Sequence, residues 1–362
     1  MGNDMKTFQE LRDTHQIEFY KPLAEEIQRY LEEKLLIVGK GQNTGQAVIL
    51  AGGAGSGKSF AVNQMIGGQY KIFNPDDIKD SLIKMRDNIA KGKSDFPRSS
   101  DLLDLMDKIK NLDLRNPTDT GLLHMAVKGL SLDQRKMQAF FMTDKTKSIL
   151  PNVLFDATLK DISQLLGDGE GFGILDFLRH AGYKPENIHI IWILTDYRIA
   201  MRQNLTRERV VPADILFKTH SGASKTMQDI MFRDYRRLGV NGDISVIIGG
   251  KSTITYAKGT TIERDGVNYT VTQDMTGPVV KDFKYFRVKK AGDSQINPAA
   301  LTAIKDFIDQ FAPKPNATPD KELKRVINAI GKKKTGKKIH PTTAKALDIP
   351  LDSPAVDRRT TP

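Results

Sequence analysis

Ala47-Val48-Ile49-Leu50-Ala51-Gly52-Gly53-Ala54-Gly55-Ser56-Gly57-Lys58-Ser59 is the stretch that decides the fold of this chain. An uninterrupted apolar run of strand type leads directly into a G-x-x-x-x-G-K-S phosphate loop, and Phe60 to Ile66 behind it is helix-competent. The glycines allow a turn with positive φ that points successive backbone N–H groups inward, and the helix that follows adds its positive dipole end. The pattern predicts a triphosphate held by Gly53, Ala54, Gly55, Ser56, Gly57, Lys58 and Ser59. Lys58 is expected on the β- and γ-phosphates and the Ser59 hydroxyl on Mg²⁺.

Composition narrows the remaining possibilities. A chain of 362 residues is long enough for one large domain or two modest ones. No apolar stretch reaches the length of a bilayer span, and Met1-Gly2-Asn3-Asp4-Met5-Lys6 lacks an apolar signal core, so a soluble, unsecreted, cytoplasmic protein with no membrane partner is expected. The absence of cysteine excludes disulfides, thiolate catalysis and Cys-ligated metal. The formal charge of +11 is unevenly spread: from Lys314 onward 12 Lys or Arg face 5 Asp or Glu, so +7 lies in the tail.

Working outward, residues 1–46 are expected to form a helical segment, with apolar spacing from Thr14 to Leu36. Short β-rich runs at Ala47–Ala51, Tyr70–Phe73, Val153–Phe155, His189–Thr195 and Ile244–Ile248, separated by helical stretches, predict a parallel sheet covered on both faces across 47–250. Lys91 to Thr120 reads as a polar, irregular insertion or flap. Residues 251–312 read as a small β appendage and a helix, with Asp265-Gly266 as a hairpin turn. Residues 313–362 read as a basic, largely disordered tail apart from a short helix at Lys321–Ile330.

Phosphoryl transfer needs a proton acceptor, a metal site and fixed cations. Asn74-Pro75-Asp76-Asp77 follows the second run, where a carboxylate can face the γ-phosphate. The same residues also make an ordinary helix start, and spacing does not choose between Asp76 and Asp77. Val153-Leu154-Phe155-Asp156-Ala157-Thr158 has the strand-then-Asp form of a Walker-B segment, placing Asp156 near metal or acceptor. Ala157 stands where mechanical ATPases commonly carry a water-activating Glu, which favours transfer over hydrolysis. Arg202, Arg207 and Arg209, ahead of Pro212, suit a lid that closes cations over the phosphates, whereas Arg198 reads as a solvated helix residue. No N-K-x-D guanine motif is present, and a non-catalytic ATP-gated module is the alternative of a different class.

Taken together, Gly52 to Ser59, Asn74-Pro75-Asp76, Asp156-Ala157-Thr158 and Arg202 through Arg207-Glu208-Arg209-Val210-Val211-Pro212 resemble the zeta-toxin-like kinases, over roughly residues 47 to 248. The resemblance implies an α/β P-loop NTPase/kinase fold, with a mainly parallel sheet between helices, and an ATP-dependent kinase acting on a hydroxyl. It implies Lys58 and Ser59 on ATP and Mg²⁺, Asp76 as base, Asp156 near metal or acceptor, and Arg202 and Arg209 on the phosphates. In the toxins the acceptor is a UDP-activated amino sugar, and whether this chain has an antitoxin-like protein partner stays open. The insertion at 91–120 and the β appendage depart from that pattern, so the acceptor stays open. A sugar nucleotide or other small hydroxyl-bearing molecule fits the resemblance. A nucleic acid, a polynucleotide end or a hydroxymethylated base as in some phage kinases, fits the basic tail and the aromatic and cationic run Phe283 to Lys290.

Overall fold

The computed structural model describes residues 44–64, 66, 69–92, 100–129, 132–169, 171–234, 238–249, 252–256, 258–259, 261–264, 267–270, 275–280, 283–293, 295–333 and 336–360. The helix expected between Thr14 and Leu36 lies outside the described residues. The strands are β1 (Ala47–Ala51), β2 (Lys71–Phe73), β3 (Val153–Asp156), β4 (Ile188–Leu194), β5 (Ile244–Gly249), β6 (Ser252–Tyr256), β7 (Thr261–Arg264), β8 (Val267–Thr270), β9 (Met275–Val280) and β10 (Phe283–Lys289). The helices begin with α1 (Lys58–Gln64), α2 (Pro75–Ala90), α3 (Ser100–Ile109), α4 (Pro117–Gly129), α5 (Leu132–Phe141), α6 (Asp144–Ile149), α7 (Ser163–Leu166) and α8 (Ile174–Ala181). They continue with α9 (Tyr197–Asn204), α10 (Ala213–Asp229), α11 (Pro298–Phe311), α12 (Pro319–Gly331) and α13 (Pro341–Ala346).

The chain divides into two compact units. The larger, built from 38–59, 68–250 and 283–362, is of α/β type around a six-stranded sheet of order β10-β5-β4-β1-β3-β2. All neighbours are parallel except β10, which runs antiparallel to β5. Every residue of β1 and β4 is buried, as expected of strands with no polar face and helices on both sides. Beneath one face Phe73, Phe141, Phe155 and Phe177 pack ring on ring at 5.2 to 6.0 Å. His189 is buried within β4, donating from Nε2 to Gln46 at 2.8 Å and accepting the Asp243 N–H at Nδ1.

Strand order positions the site. From β1 the chain crosses to β2 at the edge, returns to β3 on one side of β1, then passes to β4 on the other. Parallel strands bring their carboxyl ends to one rim, so the segments after Ala51, Phe73, Asp156 and Leu194 converge where order reverses around β1.

Three expectations are corrected. The 91–120 segment is not an irregular flap: α3 and the first turn of α4 lie within it, and Leu105, Met106 and Ile109 pack with Leu82, Leu123 and Val127 into a core of their own. Apolar side chains at helical spacing outweigh the polar residues that flank them. The run Phe283 to Lys290 belongs to the main sheet as β10 and not to an appendage. Lys289 there is buried, donating from Nζ to the carbonyls of Asn241, Gly242 and Lys290 at 3.0 to 3.2 Å, so it offers no cation to a nucleic acid.

The third correction concerns the tail. Residues 319–331 and 341–346 are helical, and Ile339 bridges Val356. Val326, Ile330, Ile339, Ala344, Ile349, Ala355 and Val356 form a core with Met201, Leu205 and Leu216, against which Ala54 of the phosphate loop also packs. Net basic charge coexists with a tertiary core because Lys321, Lys324, Lys332, Lys333, Lys337 and Lys345 are exposed.

The smaller unit, among its described residues, pairs β6 antiparallel with β9 and β7 antiparallel with β8. Arg264 lies opposite Val267, and the expected Asp265-Gly266 turn lies outside the described residues.

Candidate active site

Leaving β1, the chain turns through Gly52, Gly55 and Gly57 at φ of 146°, 75° and 96°. Side chains cost heavily at such φ, which accounts for glycine at these positions. The loop's polar backbone is held from several elements. The Gly52 N–H donates to the Thr158 carbonyl beyond β3 at 3.0 Å, and Thr195, after β4, donates its hydroxyl to the Ser56 carbonyl at 2.7 Å. From α10, Thr219 accepts the Ala54 N–H and His220 bonds the Ala54 carbonyl, both at 3.0 Å. The first turn of α1 leaves its amides without intrahelical acceptors, as any helix start does.

Lys58 curls back over the loop, donating from Nζ to the carbonyls of Gly52 at 2.9 Å and Gly53 at 3.3 Å. Its ammonium stands 3.8 Å from Asp156 Oδ1, with both side chains about nine-tenths buried. Burial draws the Lys58 ammonium below the usual lysine value, against the pull of Asp156 and Asp76. Burial likewise pushes the Asp156 carboxyl up, with Lys58 opposing and Asp76 and Asp77 adding to the rise.

Asp76 enters from the rim of β2. Asn74 caps α2 by accepting the Asp76 N–H at 2.9 Å, and Pro75 fits the first helical position, so the local sequence fixes where the carboxylate stands. Lys79 holds Asp76 Oδ1 at 2.9 Å and Arg209 holds Oδ2 at 2.5 Å. Burial alone would raise this carboxyl, but Lys79 and Arg209, with Lys58 behind them, hold it below the usual carboxylate value. Asp77 instead faces Lys136 at 4.0 Å and is half exposed. Helical phase separates the two acids that spacing left equivalent.

Residues 205–211 carry Arg207 and Arg209, two of the three candidate arginines. Asn204, buried at the end of α9, donates to the Val211 carbonyl at 2.7 Å and accepts the Val211 N–H at 2.9 Å, closing this loop with one side chain. The Val210 N–H donates to the Leu114 carbonyl at 2.8 Å, and Glu208 pairs with Arg115 at 2.5 Å. Arg209 reaches Asp80 at 2.9 Å as well as Asp76. Arg207 lies within electrostatic reach of Lys58, Arg209 and Asp76. The segment expected to act as a lid closing cations over the phosphates is a loop pinned to its surroundings by these bonds.

The structure therefore gathers Lys58, Asp76, Asp156, Arg207 and Arg209 at one rim, but not Arg202. Arg202 stands near Lys333 of the C-terminal segment, whose ammonium it lowers, and among the described residues it joins none of the ion pairs around Asp76 and Lys58. Arg198 chelates Asp196, its own helix cap, at 2.8 to 2.9 Å. Thr158 spends its hydroxyl on Gln164 at 3.1 Å. Thr219, His220, Asn204, Lys79 and Asp80 carried no motif; of these, Lys79 and Asp80, three and four residues past Asp76 on a helix, had a spacing that could have drawn attention.

The residues present suit a nucleotide with a divalent metal. Asp156 Oδ1 and Ser56 Oγ are buried and, among the described residues, have no hydrogen-bond partner, a costly state that an incoming cation or phosphate relieves. The space beside Gly57 is open within 4 Å. No group of three His, Cys, Asp or Glu that could cage a metal occurs among the described residues, so a metal here would complete its shell with phosphate oxygens and water.

No protein-family model matches the chain, and comparison with curated protein sequences gives no match. Among solved structures, the AvrRxo1-ORF1:AvrRxo1-ORF2 complex with sulphate ions is similar at 11% identity and TM-score 0.36, over 96% of this chain and 94% of that one. The AvrRxo1-ORF1:-ORF2 complex with ATP is similar at 10% identity and TM-score 0.36, over 92% and 88%. A TM-score of this size does not establish a shared fold.

Proposed function

We propose that this chain is a P-loop kinase of the zeta-toxin-like kind, transferring the γ-phosphoryl group of ATP to a hydroxyl of a small acceptor. The observation that carries this reading is the convergence of Lys58, Asp156 and Asp76 at one sheet rim, with Arg209 hooked onto Asp76.

Lys58 rests on the Gly52 and Gly53 carbonyls and is free to exchange them for phosphate oxygens. Ser59 and Asp156 would hold Mg²⁺, which when bound neutralises charge on the phosphates. Asp76, kept ionised by Lys79 and Arg209, accepts the acceptor's hydroxyl proton. As it does so, the acceptor oxygen bonds to the γ-phosphorus, the bond to the β,γ-bridging oxygen breaks, and ADP leaves with the electron pair. A carboxylate held this acidic is a weak base. Transfer of Arg209 from Asp76 to the γ-phosphate would raise its basicity just as charge gathers on the transferring group, coupling nucleotide arrival to activation.

Labelled ATP incubated with separate pools of sugar nucleotides, nucleosides, DNA and RNA tests the reading. Wild type should label one pool, whereas Asp76→Asn should bind ATP and label none, a loss of about 10²- to 10⁴-fold. Steady ATP hydrolysis with no labelled product from any pool would replace the kinase by an ATP-binding module. Unchanged transfer in Asp76→Asn would remove Asp76 from the mechanism.

A further inference from the structure

We infer that Thr219 and His220 of α10 are positioning residues of the phosphate loop, setting it in its anion-receiving form before nucleotide arrives. This rests on the proposed nucleotide-binding role of the loop.

A loop that receives phosphate must turn carbonyl oxygens away and leave amides facing in, because a carbonyl directed at the anion repels it. Here donors occupy the loop carbonyls one by one: Lys58 Nζ on Gly52 and Gly53, and the Thr195 hydroxyl on Ser56. The Ala54 carbonyl is taken by His220 Nε2 at 3.0 Å. A carbonyl only accepts, so Nε2 carries the proton. Burial draws the imidazole down to about 4, which keeps it neutral near Lys58.

Thr219 supplies the complementary half. Its hydroxyl proton is committed to the Leu216 carbonyl at 2.8 Å, which leaves the oxygen as an acceptor for the Ala54 N–H at 3.0 Å. Two consecutive side chains thus grip both polar groups of one loop residue. The Ala54 amide is withdrawn from the phosphate set, and phosphate contact falls to the amides that follow it.

His220 also dictates the residue at 53. A Cβ on Gly53 would come within 2.2 Å of His220 Cδ2, so the glycine there answers to the imidazole beneath it and not to its own φ. Threonine and histidine placed in a helix only to fill space would not meet both ends of a single peptide residue in this way.

The test measures amide exchange in the loop and MgATP affinity side by side on the full chain. Thr219→Val removes the acceptor at constant shape and should speed exchange of the Ala54 amide and weaken MgATP binding, each by about tenfold. Thr219→Ser should restore both, and exchange of the β1 amides should not change. His220→Leu should act like Thr219→Val, while His220→Gln, which keeps an N–H donor at a similar reach, should stay near wild type. This second pair serves where the valine variant fails to fold. Wild-type exchange at Ala54 in Thr219→Val and His220→Leu would overturn the inference. If wild type itself binds no ATP, the proposed function falls, while the exchange data still decide whether these two side chains hold the loop.

Discussion

The phosphate loop at 52–58 and the arginine loop at 205–211 are both fastened by side chains that bond backbone at two points, yet they hold charge differently. The first keeps its ammonium about nine-tenths buried beside a buried carboxylate whose Oδ1, among the described residues, accepts no hydrogen bond. The second keeps the Arg209 guanidinium about a quarter exposed, spread between Asp76 and Asp80, which are roughly half exposed. Water screens the second pair and not the first. Changes at Lys58 should therefore be felt in binding and chemistry together, whereas changes at Arg209 should be felt through the proton affinity of its neighbour.

The strongest way to break this contrast is Lys58→Met, which deletes the buried cation and leaves Asp156 buried without it. Phosphoryl transfer should fall by about 10³-fold or more, read by labelled-product formation. A loss no larger than that of Arg209→Ala would erase the distinction between the two loops.

Next in size is the acid sensitivity of the phosphate loop's support. His220 has a folded value near 4 against an ordinary 6.5, so the unfolded chain takes the proton first. The stability His220 lends is complete above about pH 6.5 and drains away as pH falls toward about 4, by about 3 kcal/mol in total. Urea unfolding at stepped pH should show this loss in wild type as an excess over His220→Gln. Parallel pH curves for the two proteins would contradict the buried neutral imidazole.

Arg209→Ala sharpens the comparison from the other loop. Without that guanidinium the Asp76 carboxyl is less strongly held below its usual value, so the acid limb of kcat/KM should move to higher pH. Asp76 must be ionised to accept a proton, which fixes the direction. A limb that stays put would mean Arg209 does not govern Asp76.

The smallest effect is expected behind the arginine loop, where Tyr197 donates to buried Glu322 at 2.9 Å and ties α9 to the C-terminal helix α12. Tyr197→Phe should cost about 1 kcal/mol or somewhat more in urea unfolding, because Glu322 retains Arg325 as a partner.

Much of the sheet was legible because β1 is wholly apolar and β3, β4 and β5 carry one polar residue each, Asp156, His189 and Ser245, the near-continuous pattern of strands buried on both faces. Ala47–Ala51 coincides with its expected bounds, and the others shift by a residue or so at an end. The tail was not legible as a whole. Its helix at 319–331 shows Leu323, Val326, Ile327 and Ile330 among lysines, but whether they bury depends on Met201, Leu205 and Leu216, which are more than 100 positions away. At the candidate site, Lys58, Asp76, Asp156, Arg207 and Arg209 could be singled out by motif and order, whereas Asn204, Thr219 and His220 sit in helices where such side chains are usually unremarkable. Arg202 looked like its neighbours in sequence and is separated from them only by where α9 points.

By itself the sequence determined a parallel sheet and a glycine-rich turn at the mouth of its first strand, since β-branched runs and glycine turns act locally through sterics and burial. Tertiary structure alone decided which charges meet: that Asp76 and not Asp77 faces Arg209, that Lys289 is internal, and that α10 grips Ala54. Pairings of this kind depend on the relative placement of elements distant along the chain, and that placement comes from packing the whole core.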